Sequence, residues 1–422
     1  MPDGEFSVIA VGAGPANLAL AVALEECDSP ALARDTLVLE QHPDVRWQRG
    51  LLLPSARSQV SFVKDLATMR NPCSRFSYLS FLHDRGRLEE FVNLGTFYPY
   101  RWEISEYLQW AADRLEHVSI RYNARVERVD ARREGGDTVV GWTVTTSDGA
   151  TLRCRDLVIG TGRRPYVPEV FRHLPAGLVI HSDEYCSRIA ALPTDRALRV
   201  VVVGGAQSAA EMFMAVHQDL PLCKPTILMR SLGLPHYQTS KFVNEVYFSS
   251  FVDGFYHAPP EVRQELLDES HQTNYGGLAP PFVDELYGMF YRQKMLGPRR
   301  STVRTLAEVV DAQAAEDGIV LDVRDRRTGK VEPMQCDLVL LGTGYESETP
   351  EMVRRLAEQA RVHDIEISRQ YRVDLGNHAW AALYLQGVNE RTHGISDSLL
   401  SLLAHRSQEI ANDLLARRAI VE

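Results

Sequence analysis

Two short apolar runs stop at a glycine turn and pass straight into a helix-forming stretch. SVIAV, from Ser7, leads through Gly12-Ala13-Gly14-Pro15-Ala16-Asn17 into LALAVALEE. LRVVVV, from Leu198, leads through Gly204-Gly205-Ala206-Gln207-Ser208-Ala209 into a second such stretch. Uninterrupted apolar runs of this length predict strands covered on both faces, as in a parallel sheet. TLVLE at 36–40 predicts a further strand of the first unit. DLVIGTG at 156–162 and DLVLLGTGY at 337–345 predict two more, each ending in glycine. Between 118 and 153 the pattern changes to alternation, in SIRYNARVERV and GWTVTTSDGATLRC, which predicts antiparallel hairpins. ISEYLQWAADRL and the tail 396–416, SDSLLSLLAHRSQEIANDLLA, carry the period of amphipathic helices.

This order predicts an α/β protein with two Rossmann-like dinucleotide-binding domains, one nested inside the other. The first domain takes 1–165 plus 331–422 and the second 166–240 plus 297–330. The aromatic-rich stretch 241–296 is expected to form a small helical, substrate-binding portion.

Composition narrows the classes. The 422 residues are 45% hydrophobic and 24% charged, ordinary for a globular chain with room for two or three domains. A net charge of −10 with no clustered basic face argues against a nucleic-acid partner. No apolar stretch is long enough to span a membrane, and MPDGEF has no cationic leader, so a cytoplasmic location is expected. The cysteines, at 27, 73, 154, 186, 223 and 336, form no CxxC pair. That removes a dithiol redox centre and a zinc ribbon, and no metal site is expected.

The chemistry lies in the turns. Gly12 permits the tight bend, Gly14 lets the backbone approach a pyrophosphate, and the helix opened by Pro15, Ala16 and Asn17 supplies N–H donors and a partial positive charge. Asn17 stands where a third glycine is usual, and Glu40 ends the next strand with a carboxylate able to accept from ribose hydroxyls. In the second turn Ala206 replaces the middle glycine, and its methyl is expected to push a pyrophosphate slightly outward. The strand PTILMRS ends on Arg230, where a ribose-reading acid would sit for NAD; an arginine there points to a 2′-phosphate. Two dinucleotides in one chain point to FAD plus NADPH, with electrons passing from nicotinamide to flavin. Lys64, inside the apolar QVSFVKDL, is either a snorkelling surface residue or a cation awaiting an anionic partner such as a substrate carboxylate. Asn244 in KFVNEVYF and Asn274 in HQTNYGG are each flanked by aromatic residues and together suggest a site for a small polar molecule.

VGAGPANLALAVALEE, QVSFVKDLATMRNP, FVNEVYF, TNY, LGTGYE and HGISDSLLSLLAHRSQEI, in this order, resemble segments of the flavin-dependent N-hydroxylating monooxygenases of hydroxamate siderophore biosynthesis, and their ornithine branch above all. The resemblance covers essentially the whole chain; QVSFVKDL and FVNE are its specific parts. It implies L-ornithine N5-hydroxylation with FAD, NADPH and O2 through a C4a-hydroperoxyflavin, with L-lysine or a diamine as the alternative amine. It implies that Lys64 holds the substrate carboxylate, that Asn244 and Asn274 contact substrate, and that Leu399 lies near its reacting end. Gln59 would lie beside the reactive flavin edge, Trp47, Val126 and the Ser396 region at FAD, Asn274 by the nicotinamide ribose, and Tyr275 among the cofactor-binding residues. Gly204, Gly205, Ala206, Gln207, Ser208 and Arg230 would hold NADPH. The family is commonly tetrameric, so a homo-tetramer is implied. A flavin NAD(P)H oxidase or reductase without an amine substrate, and a silent flavoprotein acting as a binding partner, are the readings from other classes.

Overall fold

The computed structural model describes residues 4–135, 138–297, 300–346, 348–376 and 379–421. Two sheets of the same design form its core. The first is parallel through Ser119–Arg121, Thr36–Leu39, Glu5–Val11, Thr151–Ile159 and Leu383–Leu385. The strands Thr138–Thr146 and Val126–Glu134 add antiparallel to the N-terminal half of Thr151–Ile159. The second sheet is parallel throughout: Thr302–Arg304, Thr226–Leu228, Val200–Val203, Leu338–Leu341 and Val179–His181. A three-stranded antiparallel meander, Ala307–Ala315, Gly318–Asp325 and Val331–Cys336, covers one of its faces.

The α/β class, the two glycine-turn units and the antiparallel pairing of Val126–Glu134, Thr138–Thr146 and Thr151–Ile159 are as the sequence pattern predicts. Two expectations shift: Ser119–Arg121, expected in a hairpin, pairs parallel with Thr36–Leu39, and the tail expected to be helical over 396–416 forms the short turns Ile395–Ser398 and Leu400–Leu402 before the helix Leu403–Val421. The domain boundary differs. Leu338–Leu341, expected with the first domain, hydrogen-bonds between Val200–Val203 and Val179–His181, at the centre of the second sheet. The meander strand Val331–Cys336 packs with the second domain as well. The physical reason is that the internal repeat is longer than the glycine turns alone show. In both units a strand and helix are followed by a meander, and the chain then returns beside the unit's own first strand. DLVIGTG is that return in the first unit and DLVLLGTGY in the second. The chain therefore re-enters the first domain near residue 346 rather than 331. The crossing segments pair with each other there: Tyr166 N–H donates to Gly344 O at 2.9 Å and Glu346 N–H to Arg164 O at 2.8 Å.

The helical stretch 241–296 is likewise not one body. The helix Ser249–His257 lies against Glu390–His393 of the first domain. Pro280–Leu296 instead packs Phe282, Val283, Leu286 and Phe290 into the core of the second domain. No described helix is long and apolar enough to cross a membrane.

Candidate active site

The first turn is shaped by close approach. Gly12 holds φ at 89°, and a Cβ there would sit 2.9 Å from the carbonyl oxygen of Gly160, so any other residue is strained and obstructed. Gly14 is extended and precedes the helix Pro15–Glu25, which has no side-chain cap. Its first-turn N–H groups are left for a ligand in the cavity that Gly12, Gly14, Pro15 and Ala16 line. Glu40 is buried and its carboxylate is tied to the backbone, accepting from Ala13 N–H at 2.8 Å and His42 N–H at 2.9 Å. Asn17 was expected to touch the cofactor, but its side chain does not line the cavity. Its amide donates to Val11 O and Gly12 O, at 2.9 and 2.8 Å, and accepts from Gln386. The missing third glycine is explained by this packing. The close helix–strand approach is permitted by Gly160 on the opposite strand, whose added Cβ would lie 2.7 Å from Asn17.

The second turn repeats the geometry. Gly204 N–H donates to Leu228 O at 2.9 Å, as Gly12 N–H does to Leu39 O at 2.8 Å. Gly204 holds φ at 141°, and its counterpart of Gly160 is Gly342. Ala206 has φ −113° and ψ −177°, extended backbone that any residue adopts, so the alanine causes no local strain. The helix Gln207–Asp219 that it opens again has no side-chain cap. Arg230 is exposed just past Thr226–Leu228, with its side chain on the cavity wall.

Both turns open into one cavity of about 1640 Å³. Trp47, Gln59, Val126, Gln207, Ser208, Asn274, Tyr275 and Leu399 line it, which brings most of the expected residues together. Gln59 donates to Gln207 Oε1 at 3.2 Å across the two domains. Ser396 is a correction: it is fully buried behind the wall, its hydroxyl without a partner among the described residues, while Ile395 and Ser398 face the cavity.

One charged cluster was not foreseen. Arg163 donates to the Tyr275 hydroxyl at 2.6 Å and to Glu390, and Ser398 donates to Glu390 at 2.5 Å. Tyr275 also donates to Glu390, and burial followed by that carboxylate pushes the phenol up to about 12. Arg163 directly follows the GTG of DLVIGTG, a local signal; Glu390 lies far along the chain and had none.

Lys64 sits in a small depression that shares Pro15, Leu400 and Leu403 with the main cavity. Its ammonium lies 3.4 Å from the Ser401 hydroxyl and 5.6 Å from the centre of the Tyr247 ring, with no carboxylate paired to it among the described residues. Burial lowers its pKa. Asn244, on the single turn Val243–Tyr247, holds a buried Oδ1 with no partner among the described residues. That turn packs on Ile395–Ser398, beside Leu399.

The residues fit two dinucleotides. Each uncapped helix N-terminus stands over a glycine turn whose backbone is held open toward the shared cavity. No cluster able to hold a metal is present among the described residues.

A family profile described as L-lysine 6-monooxygenase/L-ornithine 5-monooxygenase matches residues 5–347. The L-ornithine N(5)-monooxygenase of Pseudomonas aeruginosa is 37% identical over 414 residues, 96% of this chain and 93% of that protein. The solved ornithine hydroxylase of Pseudomonas aeruginosa is similar with a TM-score of 0.92 at 36% identity, over 98% of this chain and 100% of that one. The ornithine N-hydroxylase of Kutzneria sp. 744, solved with reduced FAD, NADP+ and L-ornithine, is similar with a TM-score of 0.92 at 34% identity and the same coverage.

Proposed function

This chain belongs to the L-lysine 6-monooxygenase/L-ornithine 5-monooxygenase family, and from that premise we propose that it hydroxylates the side-chain nitrogen of L-ornithine, with FAD at the first glycine turn and NADPH at the second. The hydroxylamine product suits hydroxamate siderophore assembly. The observation that carries the reading is a pair of polar groups: the half-buried ammonium of Lys64, which reaches only the Ser401 hydroxyl and has no carboxylate among the described residues, and the buried Oδ1 of Asn244, which has no partner among them. A cation without a carboxylate and a buried acceptor without a donor suit the carboxylate and amine of an amino acid.

The bound flavin supplies the activated oxygen. The protein places the amine and sets its protonation. A free alkylamine has a pKa of about 10.4, and only its neutral form carries the lone pair needed for attack. A free carboxylate by the amine would stabilise the ammonium. Glu390, bonded to Tyr275 next to Asn274 in the chain, is a carboxylate on this wall, and it is already occupied by Arg163, Tyr275 and Ser398. Asn274 instead offers an amide oxygen, which accepts from a neutral amine without favouring its charged form. Gln59, held by Gln207, presents its amide at the cavity between the two turns. Lys64 anchors the far carboxylate and so fixes how deeply the side chain reaches.

The test is a panel of L-ornithine, L-lysine, putrescine and cadaverine scored for hydroxylamine. Ornithine is expected to give the highest kcat/KM for hydroxylamine formation. NADPH oxidation yielding only hydrogen peroxide with all four amines would sink the reading in favour of an oxidase.

A further inference from the structure

Beyond the residues assigned so far, one part of the cavity wall brings two cations together without an anion. The meander hairpin that joins Gly318–Asp325 to Val331–Cys336 folds across the end of strand Thr226–Leu228. Backbone hydrogen bonds pin it there: Leu306 N–H donates to Ser231 O at 3.0 Å, and Arg326 N–H to Leu306 O at 2.8 Å. Leu306 takes a left-handed φ of 52° to make both, an unfavourable conformation for a leucine that the surrounding hydrogen bonds hold in place. The guanidinium of Arg326 then donates to the carbonyl oxygen of Arg230. Arg230 and Arg326 thus adjoin each other on the wall that Gly205, Ala206 and Ser231 also line.

The acids nearby are committed elsewhere. Glu308 faces Arg324 at 3.6 Å, Asp325 holds Arg327 at 2.6 Å, and Asp268 accepts from Gln264 at 2.9 Å. Neither Arg230 nor Arg326 pairs with a carboxylate among the described residues. Two guanidinium groups on one wall, with no carboxylate paired to either among the described residues, suit an anion shared between them. The Ser231 hydroxyl lies against the second turn as well, 3.0 Å from where a Cβ on Gly205 would stand.

We infer that Arg326 is the second half of a two-arginine clamp for the 2′-phosphate of the electron donor, with Arg230 as the first half. The inference rests on the reading of the second turn as the NADPH side. A phosphate monoester has three oxygens and nearly two charges at neutral pH, and planar guanidinium forks match that geometry. The position is correct too: in this class of fold the ribose of the adenosine half lies at the end of the second strand. NADH brings no charge to the clamp.

The test uses the FAD-loaded full chain and two readouts. Calorimetry compares adenosine 2′,5′-bisphosphate with adenosine 5′-monophosphate, and steady-state kinetics compares KM for NADPH with KM for NADH. Arg326→Gln keeps a donor for the Arg230 carbonyl and removes the charge. It is expected to weaken the bisphosphate and raise KM for NADPH by about ten-fold or more, leaving the monophosphate and NADH unchanged. Arg327→Gln, one residue along and already paired to Asp325, is expected to match the wild type. A wild-type preference for the 2′-phosphate that persists in Arg326→Gln overturns the clamp, as does equal weakening for both nucleotides, which would make Arg326 a merely structural prop. A wild type that shows no 2′-phosphate preference overturns the donor assignment itself, and the clamp with it.

Discussion

Lys64 and Asn244 can be judged one atom at a time. Removing a polar side chain that has a buried partner destabilises a protein, because the partner is left unsatisfied. Neither of these has a strong protein partner, so their loss should be felt in binding and not in folding. Lys64→Ala is expected to raise KM for ornithine roughly 30-fold or more, since a charge pair with the substrate carboxylate is lost. Flavin reduction by NADPH should keep its rate and the unfolding midpoint should not fall; collapsed reduction with intact ornithine affinity would remove Lys64 from the substrate site. Asn244→Ala should weaken ornithine binding while the protein melts at the wild-type temperature or higher. A pH effect follows from burial, which lowers the Lys64 pKa below the ordinary 10.5. The ammonium is the form that holds a carboxylate, so ornithine affinity is present below this lowered pKa and lost as pH rises through it. Its alkaline limb should begin below 10.5 in wild type, as read from ornithine Kd against pH, and move upward in Lys64→Arg. Lys64 was legible in the sequence because a charge inside QVSFVKDL contradicts its neighbours. Glu390, the carboxylate that Arg163 and Tyr275 occupy, was not, because only the fold brings these distant positions together.

At the scale of elements, one strand–turn–helix–meander–strand unit occurs twice. The crossing glycines, Gly160 and Gly342, do the same work in the two copies, each letting a helix lie close to the returning strand. An added Cβ would stand 2.7 Å from Asn17 in the first copy and 2.5 Å from Ala209 Cα in the second. The second collision is with backbone and cannot be relieved by a rotamer. Gly342→Ala is therefore expected to cost about 1–3 kcal/mol of stability and to weaken NADPH while FAD stays bound, measured by thermal unfolding, NADP+ titration and flavin content. Loss of FAD in parallel would show that the copies do not act separately. Ala206→Gly is the gentler probe: its backbone is extended, so a change in NADPH affinity reports the methyl alone, and a few-fold tightening is expected if that methyl stands in the way of the pyrophosphate. The strands and both turns were readable because apolar runs and glycines are local signals. The owner of DLVLLGTGY was not, because a buried parallel strand looks alike in either sheet. Its neighbours are chosen by hydrogen bonds to Val200–Val203, far back along the chain.

The molecule as a whole must hold its two domains so that both turns face one cavity, and a buried ion pair spans the junction. Arg101, on helix Arg101–Asp113 of the first domain, donates twice to Glu211, on helix Gln207–Asp219 of the second, at 2.8 and 2.7 Å. Their side chains are only 6% and 5% exposed, so solvent screens the pair little. Glu211 also accepts from Gln207 at 2.8 Å, and Gln207 accepts from Gln59 at 3.2 Å and from Ala279 N–H at 3.0 Å. The junction is thereby wired to the amide proposed to face the flavin. Two roles are separable. If the pair only glues the domains, apolar replacement of both partners should restore whatever either single replacement loses. If it also aims Gln207 and Gln59, stability should return without function. Arg101→Met and Glu211→Leu are each expected to lower stability by about 3–5 kcal/mol, because each strands a buried charge. The double variant should recover most of that loss, since no charge is left unpaired. In the same preparations the yield of hydroxylamine per NADPH should fall in Glu211→Leu and stay low in the double variant, because Gln207 has still lost its acceptor. Full recovery of both quantities in the double variant would reduce the pair to glue; recovery of stability alone would make Glu211 a positioning residue for the oxygen-transfer step.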